Sequence, residues 1–191
     1  MTAGHGPRAT GHGLGAVILA AGAGTRMGGV AKALLRRGER TFLRCIVDTA
    51  REIGLDDGVV VVGPPFGDAV AAAARALGLR VADNAQPERG MASSIAIGFA
   101  ALADGDADAA WLWPVDHPDV TAATLRALVA ALGDREVARP VVAGRGGHPP
   151  LVARAAWPRL VACTNAREVI AAADRIDVPV DDVGCTQDVD T

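Results

Sequence analysis

From Gly15 onward, short β-branched apolar runs alternate with longer alanine- and leucine-rich stretches of helical period. That alternation predicts an α/β fold, with a mostly parallel sheet covered by helices on both faces. Strands are expected at residues 16–19, 59–62, 79–82, 110–113, 137–142 and 151–153, with a last short one at 176–180. Helices are expected near 41–54, 67–78, 91–103, 122–133 and 165–174, so most crossovers carry one helix. Gly54, Gly78 and Gly133 stand where helices should stop, and Thr121 stands where an N-cap would. The densest turn segment is 144–150. With no internal repeat, charge block or long linker, residues 14–191 read as a single domain behind a flexible tail at 1–13.

Composition narrows the chemistry. Half of the 191 residues are apolar, enough for a full core, and the net charge is -3. No general basic field is available for nucleic acid or anionic lipid, so any phosphate chemistry has to use a few local cations. No apolar run approaches the ~18 residues that span a bilayer, and the first 13 residues lack the apolar segment of a signal peptide. Cys45, Cys163 and Cys185 are odd in number, with neither a CxxC pair nor metal-ligand spacing. They read as reduced thiols of a cytoplasmic protein, and the expected partners are small molecules, with no nucleic acid and no membrane.

The segment "GAVILAAGAGTRMGGVAK", residues 15–32, breaks from a strand into glycines and ends on two cations, Arg26 and Lys32. As a dinucleotide fingerprint it offers Gly22, Gly24 and Gly28, one residue longer than usual. That reading also wants an acid at the end of the second strand, where the chain has Gly63, Pro64 and Pro65. A Walker loop fails, because Lys32 is flanked by Ala31 and Ala33. A third reading takes Arg26 and Lys32 as the working residues, with small side chains letting backbone N–H groups approach a base and phosphates. The plain alternative is a glycine-rich turn with two solvated cations.

Three later segments add candidates. "WLWPVDHPDV", 111–120, ends a buried-looking strand in Asp116, His117 and Pro118, and a carboxylate there points into the crevice of an open α/β sheet. Asp before a proline turn also commonly serves as a cap or breaker. "QDVDT" places Asp188 and Asp190 on one face if extended, or in a frayed acidic tail. "NAQPERGMASSIAIGF", 84–99, puts Gly90, Ser93 and Ser94 at the mouth of a helix, suited to an anion or a base edge and equally to ordinary N-capping.

Together these segments resemble the MobA-like and MocA-like NTP transferases, the molybdenum cofactor nucleotidyltransferase-like family. Its signature loop reads approximately L-A-A-G-x-x-x-R-M-G-x-x-K, followed by G-M-x-x-S, D-x-P and D-I-D-T. The resemblance implies a three-layer, Rossmann-like nucleotidyltransferase fold in which Leu19, Ala20, Ala21, Gly22, Gly24, Gly90, Ser93 and Ser94 bind an NTP. It also implies that Arg26 meets the β- and γ-phosphates, that Lys32 lies near the α-phosphate, and that Asp116 holds Mg2+, with Asp188 and Asp190 as further metal ligands. Arg26, Lys32 and Asp116 are the implied catalytic residues. "AGRGGHPPLVAR", 143–154, resembles the R-x-G-H-P element of the cytidylyl branch and puts Arg145 and His148 on the acceptor side with His117. Where that branch has G-D-x-G-A-R, this chain reads "CTNAREV", keeping Ala166 and Arg167. The "LAAG" of the loop resembles the CTP-using branch, whereas the guanylyl branch has "LAGG". The implied reaction moves NMP, with CMP favoured, from an NTP to a phosphorylated acceptor such as molybdopterin and releases pyrophosphate, in a monomer or weak homo-oligomer. Two rivals stand beside it: a non-catalytic nucleotide-binding accessory protein of the same fold, and an NAD(P)-dependent oxidoreductase.

Overall fold

The structure is a computed structural model that describes residues 13–22 and 29–189. Residues 1–12 of the tail expected at 1–13, and two of the nucleotide-loop residues, Gly24 and Arg26, lie outside the described residues, as does Asp190. Gly13 is already part of the framework: its N–H donates to Asp108 Oδ2 at 3.1 Å.

The first strand, β1 (Leu14–Leu19), is buried along its whole length, as a central strand flanked by helices on both faces must be. A small hairpin follows, β2 (Arg36–Arg37) and β3 (Arg40–Thr41). Helices and strands then alternate: α1 (Phe42–Arg51), β4 (Leu55–Val62), α2 (Gly67–Ala76), β5 (Arg80–Asp83), α3 (Met91–Leu102), β6 (Ala109–Pro114), α4 (Ala122–Leu132) and β7 (Val137–Val142). The remainder comprises β8 (Arg145–Gly146), β9 (Leu151–Ala153), α5 (Trp157–Ala162), α6 (Ala166–Ala172) and β10 (Arg175–Pro179). The sheet order is β10-β7-β9-β6-β1-β4-β5, with β8 added on β7. β9 and β8 are the antiparallel strands, and every other neighbour pair in the sheet is parallel.

Alternating side chains make the two outer layers. Ile18, Val60, Trp111 and Trp113 pack under α1, α2 and α4. Val17, Val61 and Leu112 face the opposite way, under α3, α5 and α6. Several boundaries follow from single residues. Thr121 caps α4, its hydroxyl accepting from the Thr124 N–H, and Gly54, Gly78 and Gly133 all take positive φ after their helices, a conformation that costs glycine least.

The topology fixes where a ligand can sit. From β1 the chain moves outward to β4 and β5, then returns through α3 to β6 on the other side of β1. At such a reversal the connections leaving the carboxyl ends of β1 and β6 diverge, and a crevice opens between them.

Candidate active site

The carboxyl end of β1 is held open by its neighbours. Ala20 N–H donates to Val61 O at 2.9 Å, and Val115 N–H donates to Leu19 O at 3.1 Å. Beyond that point lies a cavity of about 730 Å3, walled by Leu19, Ala20, Ala21 and Gly22 on one side and by Pro114, Val115 and Asp116 on another, with Lys32 reaching in. Its volume falls in the range of small-ligand sites. A Cβ at Gly63 would lie 2.9 Å from Asn84 O and 3.2 Å from Ala21 Cβ, so glycine at the end of β4 is what lets the β1 loop and the β5 loop close on each other.

Asn84, which sequence reasoning passed over, organises the wall opposite. It is buried, its Nδ2 donates to Ser93 Oγ at 2.9 Å and Ser94 Oγ at 2.8 Å, and its Oδ1 accepts from Gln86 N–H. Gly90, at φ +94°, is the N-cap residue of α3, so neither serine has that role. Ser94 and Gly90 line the cavity with Met91, while the Ser93 hydroxyl donates to Gly90 O at 2.8 Å. A polar residue closing a short strand was the available signal for Asn84.

Lys32 opens a short 3-10 turn after the β1 loop. Its Nζ lies 3.7 Å from Asp116 Oδ2, both side chains partly buried. Asp116 follows β6 by two residues, and its carbonyl accepts from Val189 N–H at 2.9 Å, which brings the chain's last described segment against the crevice.

Next to this pair stand two histidines. His117 is only 4% exposed; its carbonyl accepts from Trp113 Nε1–H, and its Nδ1 lies 3.0 Å from Gly184 O. Its Nε2 is 3.3 Å from Asp188 Oδ1 and 4.0 Å from Asp116 Oδ1. The His148 ring lies 5.0 Å from the His117 ring, centroid to centroid. Burial, then the neighbouring His117, push His148 down to about 4 against the opposing pull of Asp116 and Asp188, with Arg167 adding to the depression. His148 is hence neutral near pH 7, and its buried Nδ1 has no hydrogen-bond partner among the described residues. Of the four expected acceptor-side residues, His117 and His148 come together and Arg167 acts electrostatically on His148. Arg145 sits exposed in β8 on its hairpin with β7.

Both histidines are held from behind by one turn. The His148 N–H donates to Cys185 O at 2.7 Å, next to the Gly184 carbonyl that meets His117. Asp182 anchors that turn: Oδ2 accepts from Thr121 N–H and Oγ1 at 2.8 Å each and from Thr124 Oγ1 at 2.6 Å, and Oδ1 accepts from Gly184 N–H at 3.1 Å. Burial raises the Asp182 carboxyl, but these hydrogen bonds outweigh it and hold the group below its ordinary range. No sequence signal distinguished Asp182 from its neighbour Asp181.

Among the described residues no three His, Cys, Asp or Glu side chains have closed on a common point that would hold a metal. The carboxylates lining the cavity are Asp116 and Glu88, and Asp188 stands beside Asp116 against the His117 ring. No acid follows β4, which ends at Val62 ahead of Gly63, so the ribose-binding carboxylate that a dinucleotide site requires is absent from that position. No helix among the described residues is long and apolar enough to cross a membrane.

Comparison with known proteins shows the family and the fold. The profile of the MobA-like NTP transferase domain matches residues 16–177. The crystal structure of Rv0371c from Mycobacterium tuberculosis H37Rv is 29% identical, aligns over 95% of this chain and 94% of its own, and superimposes with a TM-score of 0.77. A manganese complex of the same M. tuberculosis protein aligns over 94% of both chains at 25% identity and a TM-score of 0.70. A nucleotidyl transferase from Methanothermobacter shares the fold at 22% identity and a TM-score of 0.74, over 90% of this chain and 88% of its own. No curated protein sequence matches the chain.

Proposed function

Because the chain belongs to the MobA-like NTP transferase family, we propose that it transfers a nucleoside monophosphate from an NTP, with CTP favoured, to a phosphorylated small-molecule acceptor of the molybdopterin kind. In this reaction an acceptor phosphate oxygen attacks the α-phosphorus, the bond from that phosphorus to the bridging oxygen breaks, and pyrophosphate leaves with the electron pair. The observation that carries the reading is the pairing of Lys32 with Asp116 across a nucleotide-sized cavity at the β1–β6 crevice.

The residues divide the work. Leu19 to Gly22 and the start of α3 would receive base and ribose, with Gly90 and Ser94 in the wall. Lys32 would face the α-phosphate and stabilise charge as it spreads in the transition state; Arg26 is assigned to the leaving phosphates by the loop motif. His148, neutral and with an unpartnered ring nitrogen, would orient the acceptor through a hydrogen bond, and Arg167 would supply the charge that His148 lacks. The acceptor needs no general base, because a phosphate monoester with a second pKa of ~6 is already ionised at neutral pH.

The donor set fits a hard divalent cation. Asp116 and Asp188 offer carboxylate oxygens, the ligands Mg2+ and Mn2+ prefer, and the manganese complex of Rv0371c supports such a site. When bound, the ion would neutralise phosphate charge that would otherwise repel the attacking oxygen.

The test is pyrophosphate release with each of the four NTPs against molybdopterin and a panel of phosphorylated metabolites. Release with one NTP–acceptor pair is the expected result, CTP giving the highest rate. Nucleotide binding with no release for any acceptor would instead favour the accessory-protein reading. Ala21→Gly, which creates the "LAGG" of the guanylyl branch, should raise the GTP rate relative to the CTP rate.

A further inference from the structure

His117 is buried, yet its imidazole is spent on polar contacts rather than on the core. Its Nδ1 lies 3.0 Å from Gly184 O, and a carbonyl only accepts, so Nδ1 carries a proton. The neutral ring then presents a lone pair at Nε2. That lone pair faces two carboxylate oxygens, Asp188 Oδ1 at 3.3 Å and Asp116 Oδ1 at 4.0 Å. Three lone-pair atoms facing one another repel unless a cation lies among them. A divalent ion placed among them removes that repulsion.

The surroundings match those of a metal-binding histidine. Such residues almost always donate the non-ligating N–H to a backbone carbonyl or carboxylate, which fixes tautomer and ring plane. Here the carbonyl is itself immobilised, because Gly184 N–H is held by the buried Asp182 carboxylate. A Cβ at Gly184 would lie 2.7 Å from Asp119 C and O, so the turn is pressed against the loop that carries His117. The imidazole therefore has little freedom to turn away. Adjacent ligands of an octahedral ion with bonds of ~2.1 Å stand ~3 Å apart. Asp188 meets that spacing nearly as it stands, and Asp116 would draw in by about 1 Å.

We propose that His117 Nε2 is a ligand of the divalent cation, completing with Asp116 and Asp188 a site of one nitrogen and two carboxylates. The nitrogen shifts selectivity away from Mg2+, which favours oxygen ligands, and toward Mn2+. This inference rests on the cleft being the metal-dependent NTP site proposed above.

The experiment titrates the full chain with MnCl2 and records electron spin resonance, with spin-echo modulation of the bound ion. Nitrogen hyperfine coupling from a directly bonded imidazole is expected in the parent protein, kept in His148→Gln and lost in His117→Gln. The Mn2+ dissociation constant should rise ~10-fold or more in His117→Gln, and the Mg2+ constant, measured by competition, by a smaller factor. Bound Mn2+ without nitrogen coupling in the parent overturns the ligand assignment and leaves the cation site standing. Coupling that survives His117→Gln, or that disappears in His148→Gln, overturns it too. No saturable Mn2+ binding overturns both this inference and the reading on which it rests. If His117→Gln fails to fold, the parent and His148→Gln spectra decide: coupling in both supports His117, and its absence from either overturns the assignment.

Discussion

Lys32 Nζ stands 3.7 Å from Asp116 Oδ2, joining the loop after β1 to the end of β6 across the crevice where the sheet reverses. Each is partly buried, so their attraction is less screened than that of a surface pair. A phosphate arriving at Lys32, and a cation arriving at Asp116, would each replace the partner the other provides. Lys32→Ala should therefore lower kcat about a hundredfold, equivalent to ~3 kcal/mol of transition-state stabilisation, with a smaller change in NTP affinity. Steady-state kinetics checks this; a parent-like kcat would remove Lys32 from the reacting centre.

Asp182 joins α4 to the turn behind both histidines. Its two carboxylate oxygens both accept hydrogen bonds, from Thr121, Thr124 and Gly184, so an amide in its place must turn an NH2 group toward at least one donor. Asp182→Asn should cost about 2–3 kcal/mol. Its folded-state pKa is depressed, so the carboxylate's contribution is fully present above the unfolded value of about 3.9 and is lost as pH falls through the lower folded value. Urea unfolding should thus show a constant gap between parent and variant from about pH 8 to 5, closing only below about pH 4.

The central strands were legible from their apolar runs: β1 and β6, buried along their whole length, lie within two residues of the predicted 16–19 and 110–113, because a strand covered on both faces leaves a near-continuous apolar signal. β7 and β9 run over the predicted residues although Arg139 and Pro140 interrupt the first. β4 begins at Leu55, four residues ahead of the predicted 59. Asp56 and Asp57 read as loop, but the Asp56 carboxylate accepts from Leu14 N–H and Asp57 pairs with Arg80. Helix α5 escaped notice because Trp157-Pro158 looks like a breaker, although proline is tolerated in a helix's first turn. In the site, Lys32 and Asp116 announced themselves through motifs. Asn84 and Asp182 did not, since what makes them important is the set of donors and acceptors that tertiary packing brings to them.

Arg37 Nε and Nη2 donate to Asp119 Oδ1 and Oδ2 at 3.0 and 2.8 Å, tying the β2–β3 hairpin to the loop that carries Asp116 and His117. The pair is largely exposed, and such pairs contribute little to global stability. Arg37→Ala should leave the unfolding midpoint nearly unchanged while amide exchange at residues 36–41 accelerates. Unchanged exchange would mean that β3 and α1 hold the hairpin without the pair.

Gly98 of α3 faces the sheet at close range. A Cβ there would intrude on the Val17 side chain and lie 2.9 Å from Val61 Cγ2. In an open helix interior, glycine to alanine stabilises by about 1 kcal/mol. Here overpacking of about 1–3 kcal/mol opposes that gain, so Gly98→Ala should lower Tm. A rise in Tm would show that α3 can move off the sheet at little cost.

The three thiols report on the same framework. Burial, with the neighbouring Asp182, pushes Cys185 up to about 12, leaving roughly one thiolate in 10^4 at pH 8. Burial also raises Cys45, which is 5% exposed. Cys163 is half-buried and donates its thiol to Leu160 O at 3.2 Å. A disulfide reagent at pH 8 should accordingly modify one thiol quickly in the native protein and all three in denaturant, and Cys163→Ser should abolish the fast phase. The Cys185 carbonyl holds His148, and its neighbour Gly184 holds His117. Slow Cys185 labelling in Cys163→Ser therefore measures how often the turn behind the histidines opens, and adding Asp182→Asn should speed it. If Asp182→Asn labels no faster, Asp182 does not hold the turn closed.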